Sequence, residues 1–198
     1  ADKVYANIRR VMNQGVEINL RTTNFSRPDF ARYPTLNLAH NRNRILELYN
    51  DMLTSYGEYA NKAGYEKHVY YLVKWAGVDP TDGSALWYDL DGNLTKTYST
   101  SNRQLLSDMS RNPTVFGGLI NELEYKNLSL SIQMNYSVGG WALATYASNF
   151  MNDGYDIVST NGNQAIEVYK YRWTTPGQAS LLPKVSQVST RSQMTSTR

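Results

Sequence analysis

Leu128-Ser129-Leu130-Ser131-Ile132-Gln133-Met134-Asn135-Tyr136-Ser137 alternates apolar or aromatic residues with small polar ones at every step. In an extended chain successive side chains point to opposite faces, so a period of two marks a strand with one greasy and one wet face. About ten residues is also the length a tilted strand needs to cross a bilayer. Just before it, Leu119, Leu123 and Tyr125 alternate with Ile120, Glu122 and Glu124, and only Lys126-Asn127 separates the two runs. A two-residue connection containing Asn predicts a tight hairpin turn. Pro113 and the Gly117-Gly118 pair mark where the first strand begins or bends.

A second hairpin lies upstream. Val16, Ile18 and Leu20 alternate with Glu17, Asn19 and Arg21, Asn24 to Asp29 supplies turn chemistry, and Leu36 and Leu38 alternate with Thr35, Asn37 and Ala39. Pro34 has no N–H for a ladder and belongs near the strand's start or at a bulge. In both hairpins the wet face carries Glu, Asn, Gln, Ser or Arg. A soluble β-sandwich would expose that face to water and a barrel would turn it to its lumen, and alternation alone does not choose between them. Connection lengths do favour one side. The turns within the hairpins are short, whereas the segment from Ile45 to Asn112 and the one after Gly139 are long, the asymmetry of outer-membrane barrels with short periplasmic turns and long extracellular loops. The Leu, Glu and Tyr content of Asn43 to Asn61 predicts a short helix there.

Composition narrows the classes. Across 198 residues, 41% of them apolar, no run approaches the roughly 20 consecutive apolar residues of a spanning helix, so only a closed barrel could carry this chain across a bilayer. The absence of cysteine excludes a disulfide framework, a thiolate metal site and a cysteine nucleophile together. Sixteen Tyr and four Trp against four Phe favour rings with a polar handle, suited to a membrane–water boundary or a sugar-binding surface. The net charge of +3 is scattered along the chain without a clustered basic face, which argues against a nucleic-acid partner. Ala1-Asp2-Lys3 opens no targeting peptide, so either one was removed or the chain starts inside a longer protein.

Few residues point to chemistry. His40 and His68 lie in separate segments without ligand spacing, and surface or lumen histidines are the simpler reading over a triad or zinc site. Asp79, Asp82, Asp89 and Asp91-Gly92-Asn93 place hard oxygens on Gly turns as calcium requires, but the spacing lacks the closing Glu of an EF-hand, and turn residues making local hydrogen bonds are the better reading. No cofactor and no metal is implied, and no enzyme. Trp75, Trp87, Tyr88, Trp141 and Trp173 are candidates to stack on sugar rings or grip a partner, against the alternative that they form the loops' own core or a membrane girdle. The wet face supplies the pathway-lining candidates Glu17, Asn19, Asn37, Glu122, Glu124, Ser131, Gln133 and Asn135. Tyr125 and Tyr136 fall at opposite ends of their strands, where girdles sit.

Five collinear motifs carry a family resemblance. Asn13-Gln14-Gly15-Val16-Glu17 resembles the run that opens a late barrel strand of SusC/RagA-type TonB-dependent transporters, and Asp29 through Leu48 resembles the strand that follows. Trp75 to Gly83 with Trp87-Tyr88-Asp89 resembles the family's long-loop signature. Arg111-Asn112-Pro113 with Phe116-Gly117-Gly118 and Tyr125 to Ser131 resembles its most recognisable hairpin, and Arg172 to Gly177 with Leu182 to Ser186 the loop before a later strand. Arg9 and Arg32 depart from the pattern, standing where Gly and a strand Trp are common. The resemblance implies an all-β fold: antiparallel hairpins at 11–42 and 113–138 forming part of a transmembrane β-barrel in the bacterial outer membrane, with long extracellular loops at 43–112 and 139–198. It also implies import of a large nutrient, oligosaccharide (glycan) or peptide, beside a SusD-like surface lipoprotein, with outer-membrane lipid around the barrel. The plug, the contact with TonB and most of the about 22 barrel strands would lie outside these residues. A soluble cell-surface β-sandwich that binds carbohydrate through its loop aromatics is the alternative. Placement of Leu130, Ile132 and Met134 separates the two, since a sandwich would bury them.

Overall fold

A computed structural model of the chain describes residues 9–49, 53–143, 150–151 and 163–185. In chain order it has strands β1 (Arg9–Arg21), β2 (Phe25–Arg27), β3 (Phe30–Leu48), β4 (Thr54–Tyr56), β5 (Tyr59–Asn61), β6 (Val69–Val73), β7 (Trp75–Val78), β8 (Ala85–Tyr88), β9 (Leu94–Thr95), β10 (Arg103–Leu106), β11 (Val115–Tyr125) and β12 (Leu128–Val138), then a short helix α1 (Ile166–Tyr171). The described residues form two compact units. One holds those up to Thr54 with Ala60–Val69 and Ser107–Trp141, the other Ser55–Tyr59, Tyr70–Leu106 and those from Ala142 onward.

The first unit is a wall of four long antiparallel strands in the order β1-β3-β11-β12, each beside the next long strand of the chain. That is up-and-down barrel connectivity. Its ladders run without a slip from Val11 to Arg21 and along all of β11, so residues fall into rows that cross the sheet. Leu20, Leu36, Leu119 and Met134 make one such row, and Asn19, Asn37, Gly118 and Asn135 the next. Adjacent rows face opposite ways, which puts Ile18, Leu36, Leu123, Leu130, Ile132 and Met134 on one face, with Gln14 and Asn121 among them, and Glu17, Asn19, Asn37, Glu122, Glu124, Gln133 and Asn135 on the other.

Among the described residues, nothing covers the apolar face of β12. Leu130, Ile132 and Met134 keep 55, 41 and 52% of their surface exposed, and β1 and β12 each present an outer edge with no strand against it among the described residues. A self-contained sandwich would have buried the apolar face and closed or blunted those edges. The carbohydrate-binding sandwich is therefore set aside in favour of an all-β barrel wall. On β3 the apolar face runs from Phe30 to Leu38 and then continues as His40, Arg42 and Arg44. Nine residues at about 3.3 Å each, tilted by roughly 40°, rise about 23 Å, close to the apolar band of an outer-membrane barrel. Arg32, near the turn end of this face, donates from Nε to Asn121 Oδ1 at 2.9 Å, so the one departure that puts a charge on the apolar face carries its own acceptor.

Local chemistry sets the turns. Lys126, not Asn127, takes the left-handed backbone (φ 53°) at the β11–β12 turn, and its N–H reaches the Asp29 carbonyl of the neighbouring turn at 3.0 Å. Pro34 sits where the β1 ladder ends at Thr35 and the β2 ladder starts at Arg32; only its carbonyl is used, by Thr22 N–H at 3.1 Å. At Gly117 a Cβ would stand 2.1 Å from the Asn37 carbonyl oxygen and 2.8 Å from the Tyr136 hydroxyl. The missing side chain lets the Tyr136 ring lie across β11 and donate its hydroxyl to Asn37 O on β3 at 2.9 Å.

Where a short helix is expected within Asn43 to Asn61, the described residues 43–48, 54–56 and 59–61 are strand. β3 stays paired with β1 as far as Leu48, opposite Arg9, while its other edge at Ile45 exchanges two 2.8 Å backbone bonds with Gly64 and Tyr65. With both edges satisfied in extended form, helical propensity has nothing to add. Residues 50–52 lie outside the described ones, and β4 and β5 follow. The second unit has a core of its own: Trp87, with no exposed surface, packs with Val73 and Ala85, and Trp75 and Tyr98 meet its ring edge-on at 5.7 and 5.6 Å.

Replacing Ile132 by Lys is expected to cost about 2–4 kcal/mol in folding into lipid vesicles, because it puts a charge mid-strand on the apolar face. Gln133→Lys, one residue along on the polar face, should cost under about 1 kcal/mol; equal penalties in denaturant titrations would contradict the two-faced wall. Tyr136→Phe should cost about 1 kcal/mol by removing the donor to Asn37, while Gly117→Val should cost more, since it forces β11 away from β3.

Candidate functional site

The polar face of the wall gathers the side chains that the sequence singles out for lining a passage. Glu122 and Glu124 on β11 stand opposite Ser131 and Ser129 on β12, and Gln133 and Asn135 stand opposite Ile120 and Gly118. Gly118 is buried beneath its neighbours: a Cβ there would sit 3.1 Å from Asn135 Oδ1 and 3.5 Å from Asn37 Nδ2, so the two carboxamides close over bare backbone. Arg21 reaches Glu122 at 3.4 Å, an exposed pair that orients both groups and adds little stability. The face thus offers donors and acceptors in rows and no nucleophile–base pair. Such groups hydrogen-bond polar solutes.

The loop aromatics take different places. Trp87 is wholly buried and shapes its loop, which removes it from the residues that can touch a ligand. Trp75 and Tyr88 are half-buried, Trp75 against Trp87 and Tyr88 under the Lys74 ammonium at 5.7 Å. Trp173 lies against Gly83, where a Cβ would clash with its ring at 2.4 Å, and its Nε1 donates to Pro80 O at 3.1 Å. Gly177 and Lys184 add backbone bonds of 2.7 and 2.9 Å to Pro80 and Gly83, so the segment after α1 is sewn onto the 79–83 turn. Trp141 is anchored through its main chain to Ser110 O at 2.7 Å. Sequence reasoning missed a hollow of about 260 Å³ lined by Asn43, Lys67, His68, Arg111 and Asn112. Its residues come from three separated stretches: Asn43 and the Arg111-Asn112 pair lay in two different motifs and Lys67-His68 in none.

The aspartates that resembled a calcium loop serve their own turns. Asp79 Oδ1 accepts from Thr81 N–H and hydroxyl, Asp82 from Ser84 N–H and hydroxyl, and Asp89 from the N–H groups of Asp91 and Asn93. Lys96 Nζ bridges Asp79 at 2.7 Å and Asp82 at 3.0 Å, supplying the positive charge between them. Its hydrogen bond, followed by those of Thr81, holds the Asp79 carboxyl far below the usual carboxylate range; Asp82 is lowered chiefly by Ser84 N–H, then by Lys96. Lys96 is raised in turn, first by Asp79 and then by Asp82.

Depressed carboxyl values mean the clamp is complete above the ordinary Asp value of about 3.9 and fails only as pH falls through the lowered ones. A raised Lys96 means it is complete below about 10.4 and fails only as pH rises through the higher value. Amide-exchange protection at Thr81 and Ser84, corrected for intrinsic rates, should therefore stay flat between about pH 4 and 10. Asp79→Asn should lower protection at Thr81 severalfold at neutral pH; an unchanged value would show the clamp to be idle.

No family model matches the chain. TonB-dependent receptor P3 of Formosa agariphila is 25% identical over 182 residues, 77% of this chain and 18% of that receptor. A structure of the RagAB peptide transporter superposes with a TM-score of 0.79 at 24% identity, over 96% of this chain and 22% of that one. The RagAB peptide importer in its closed-closed state gives 0.74 at 27% identity, over 91 and 20% of the two chains. In the open-open state it gives 0.78 at 25%, over 92 and 20%. The chain thus spans about a fifth of the relatives it matches, and the shared part contains the two-faced wall. By sequence and fold together the chain is similar to part of the outer-membrane β-barrel of SusC/RagA-type TonB-dependent transporters.

Proposed function

We propose that the protein imports a large nutrient, an oligosaccharide or a peptide, across the bacterial outer membrane with energy delivered through TonB, beside a SusD-like surface lipoprotein. One observation carries this reading: a single four-stranded wall has an uncovered apolar face and, on its other side, rows of Asn, Gln, Glu and Ser. Lipid against the first and a watery passage along the second would satisfy both, whereas water on both sides would satisfy neither. Glu17, Asn19, Asn37, Glu122, Glu124, Ser131, Gln133 and Asn135 would then line the passage. Amides and carboxylates hydrogen-bond sugar hydroxyls and peptide groups alike, so the wall itself favours neither cargo.

The chain leaves the wall after Leu48 and after Val138 at the end opposite the Lys126-Asn127 turn. In outer-membrane barrels that is the extracellular end, where Trp75, Tyr88 and Trp173 would face cargo or lipoprotein. Likeness to the RagAB peptide importer supports a partnered assembly. TonB would be met by parts of the transporter outside these residues. Cargo would pass unaltered, with no catalysis by the polar face.

A strain lacking the protein, grown on single oligosaccharide or peptide sources, should lose growth on one class of polymer fragments while growing normally on the monomers. A strain lacking TonB should show the same loss. Wild-type growth on every such source would sink the proposal.

A further inference from the structure

We propose that the hollow lined by Asn43, Lys67, His68, Arg111 and Asn112 is a subsite for the terminal carboxylate of an oligopeptide entering the passage. The proposal rests on the import reading and adds a cargo chemistry to it. Asn43 pairs with Asn13 across β1 and β3, which sets it on the face of Glu17 and Asn19, near the end of the wall opposite the Lys126-Asn127 turn. One lining residue of the hollow thus stands on the polar face, beyond the apolar stretch Phe30 to Leu38 of β3.

Its chemistry is one-sided. The lining holds an ammonium, a guanidinium, an imidazole and two carboxamides, and no carboxylate. Lys67 Nζ makes no ion pair among the described residues. Asn43 Oδ1 accepts Lys67 N–H at 2.7 Å, which leaves its NH₂ as the free donor. The neighbouring Glu66 carboxylate is held by Ser110 Oγ at 2.6 Å and Asn112 Nδ2 at 3.4 Å. Cationic groups with neutral amide donors fit a carboxylate, and charge-assisted bonds of this kind are the strong ones.

The hollow is also held in shape. His68 adopts the left-handed backbone (φ 59°), uncommon for any residue but glycine, and the fully buried Asn61 accepts its N–H at 2.8 Å. Strain kept in place by a buried carboxamide is a feature that binding sites show more than packing loops do. Oligopeptide is favoured over an acidic sugar by the lining itself. Two carboxamides match the donor and acceptor of a peptide group, and there is no Trp or Tyr on which a sugar ring could stack.

The test uses the transporter at its natural length, isolated with its surface lipoprotein. A defined oligopeptide pool with free C-termini and the same pool amidated at the C-terminus are titrated against it, alongside a uronate oligosaccharide. The free-acid pool should bind roughly tenfold tighter than the amidated one, and the exposed double variant Lys67→Met, Arg111→Met should abolish that preference, bringing the two pools to equal affinity. Equal binding of both pools, or a preference that survives in the variant, overturns the subsite while leaving import standing. Uronate binding that depends on Lys67 and Arg111, without a peptide preference, overturns the peptide assignment. Wild-type protein that binds none of the three, in a strain whose growth does not need it, points instead to failure of the import reading.

Discussion

Everything in the wall depends on the register between β3 and its two neighbours. Side chains alternate with a period of two, so a slip by one residue would turn Leu36, Leu38, Ile18 and Leu20 to the polar face and Asn19, Asn37 and Glu17 to the apolar one. The ladders resist this in several ways. The irregularity in the β1–β3 pairing lies at Arg10/Val11, beyond the apolar band. Tyr136 reaches over Gly117 to the Asn37 carbonyl and ties three strands together at one row. At the opposite end the Lys126 N–H joins its turn to Asp29. Hydrogen bonds that are modest in water gain force where no water competes, so pins of this kind matter most in a bilayer.

The two units obey different solvents. In the wall, large apolar side chains are left exposed because lipid is their intended surroundings, and strand length and row polarity take the place of a core. The second unit follows the ordinary rule for water-soluble structure, with Trp87 at zero exposure, aromatic edges packed on it, and aspartates spent on turn N–H groups. Lys96 between Asp79 and Asp82 replaces the cation that the acidic pattern invited. The Gly83–Trp173 contact joins residues ninety positions apart in the chain, and it accounts for Trp-Ala-Gly-Val-Asp-Pro and Arg-Trp-Thr-Thr-Pro-Gly occurring together: each supplies half of one packed turn.

Alternation along Leu128–Ser137 and Leu119–Tyr125, the brevity of Lys126-Asn127 and the length of the insertions were legible in the chain itself, because each depends only on near neighbours and on the period of an extended backbone. They determined an all-β, two-faced wall and named Glu122, Glu124, Gln133 and Asn135 for its polar side. Tertiary structure alone decided what covers each face, since exposure of Leu130 depends on elements far away in sequence. It also decided that Asn43–Leu48 extends β3 rather than forming a helix, because Arg9 and Tyr65 satisfy that backbone from both edges. Burial of Trp87 beside half-exposed Trp75 and Tyr88, and convergence of Asn43, Lys67, His68 and Arg111 on one hollow, are likewise products of long-range packing: local pattern fixes which way a side chain points, and only the assembled strands and loops fix what it meets there.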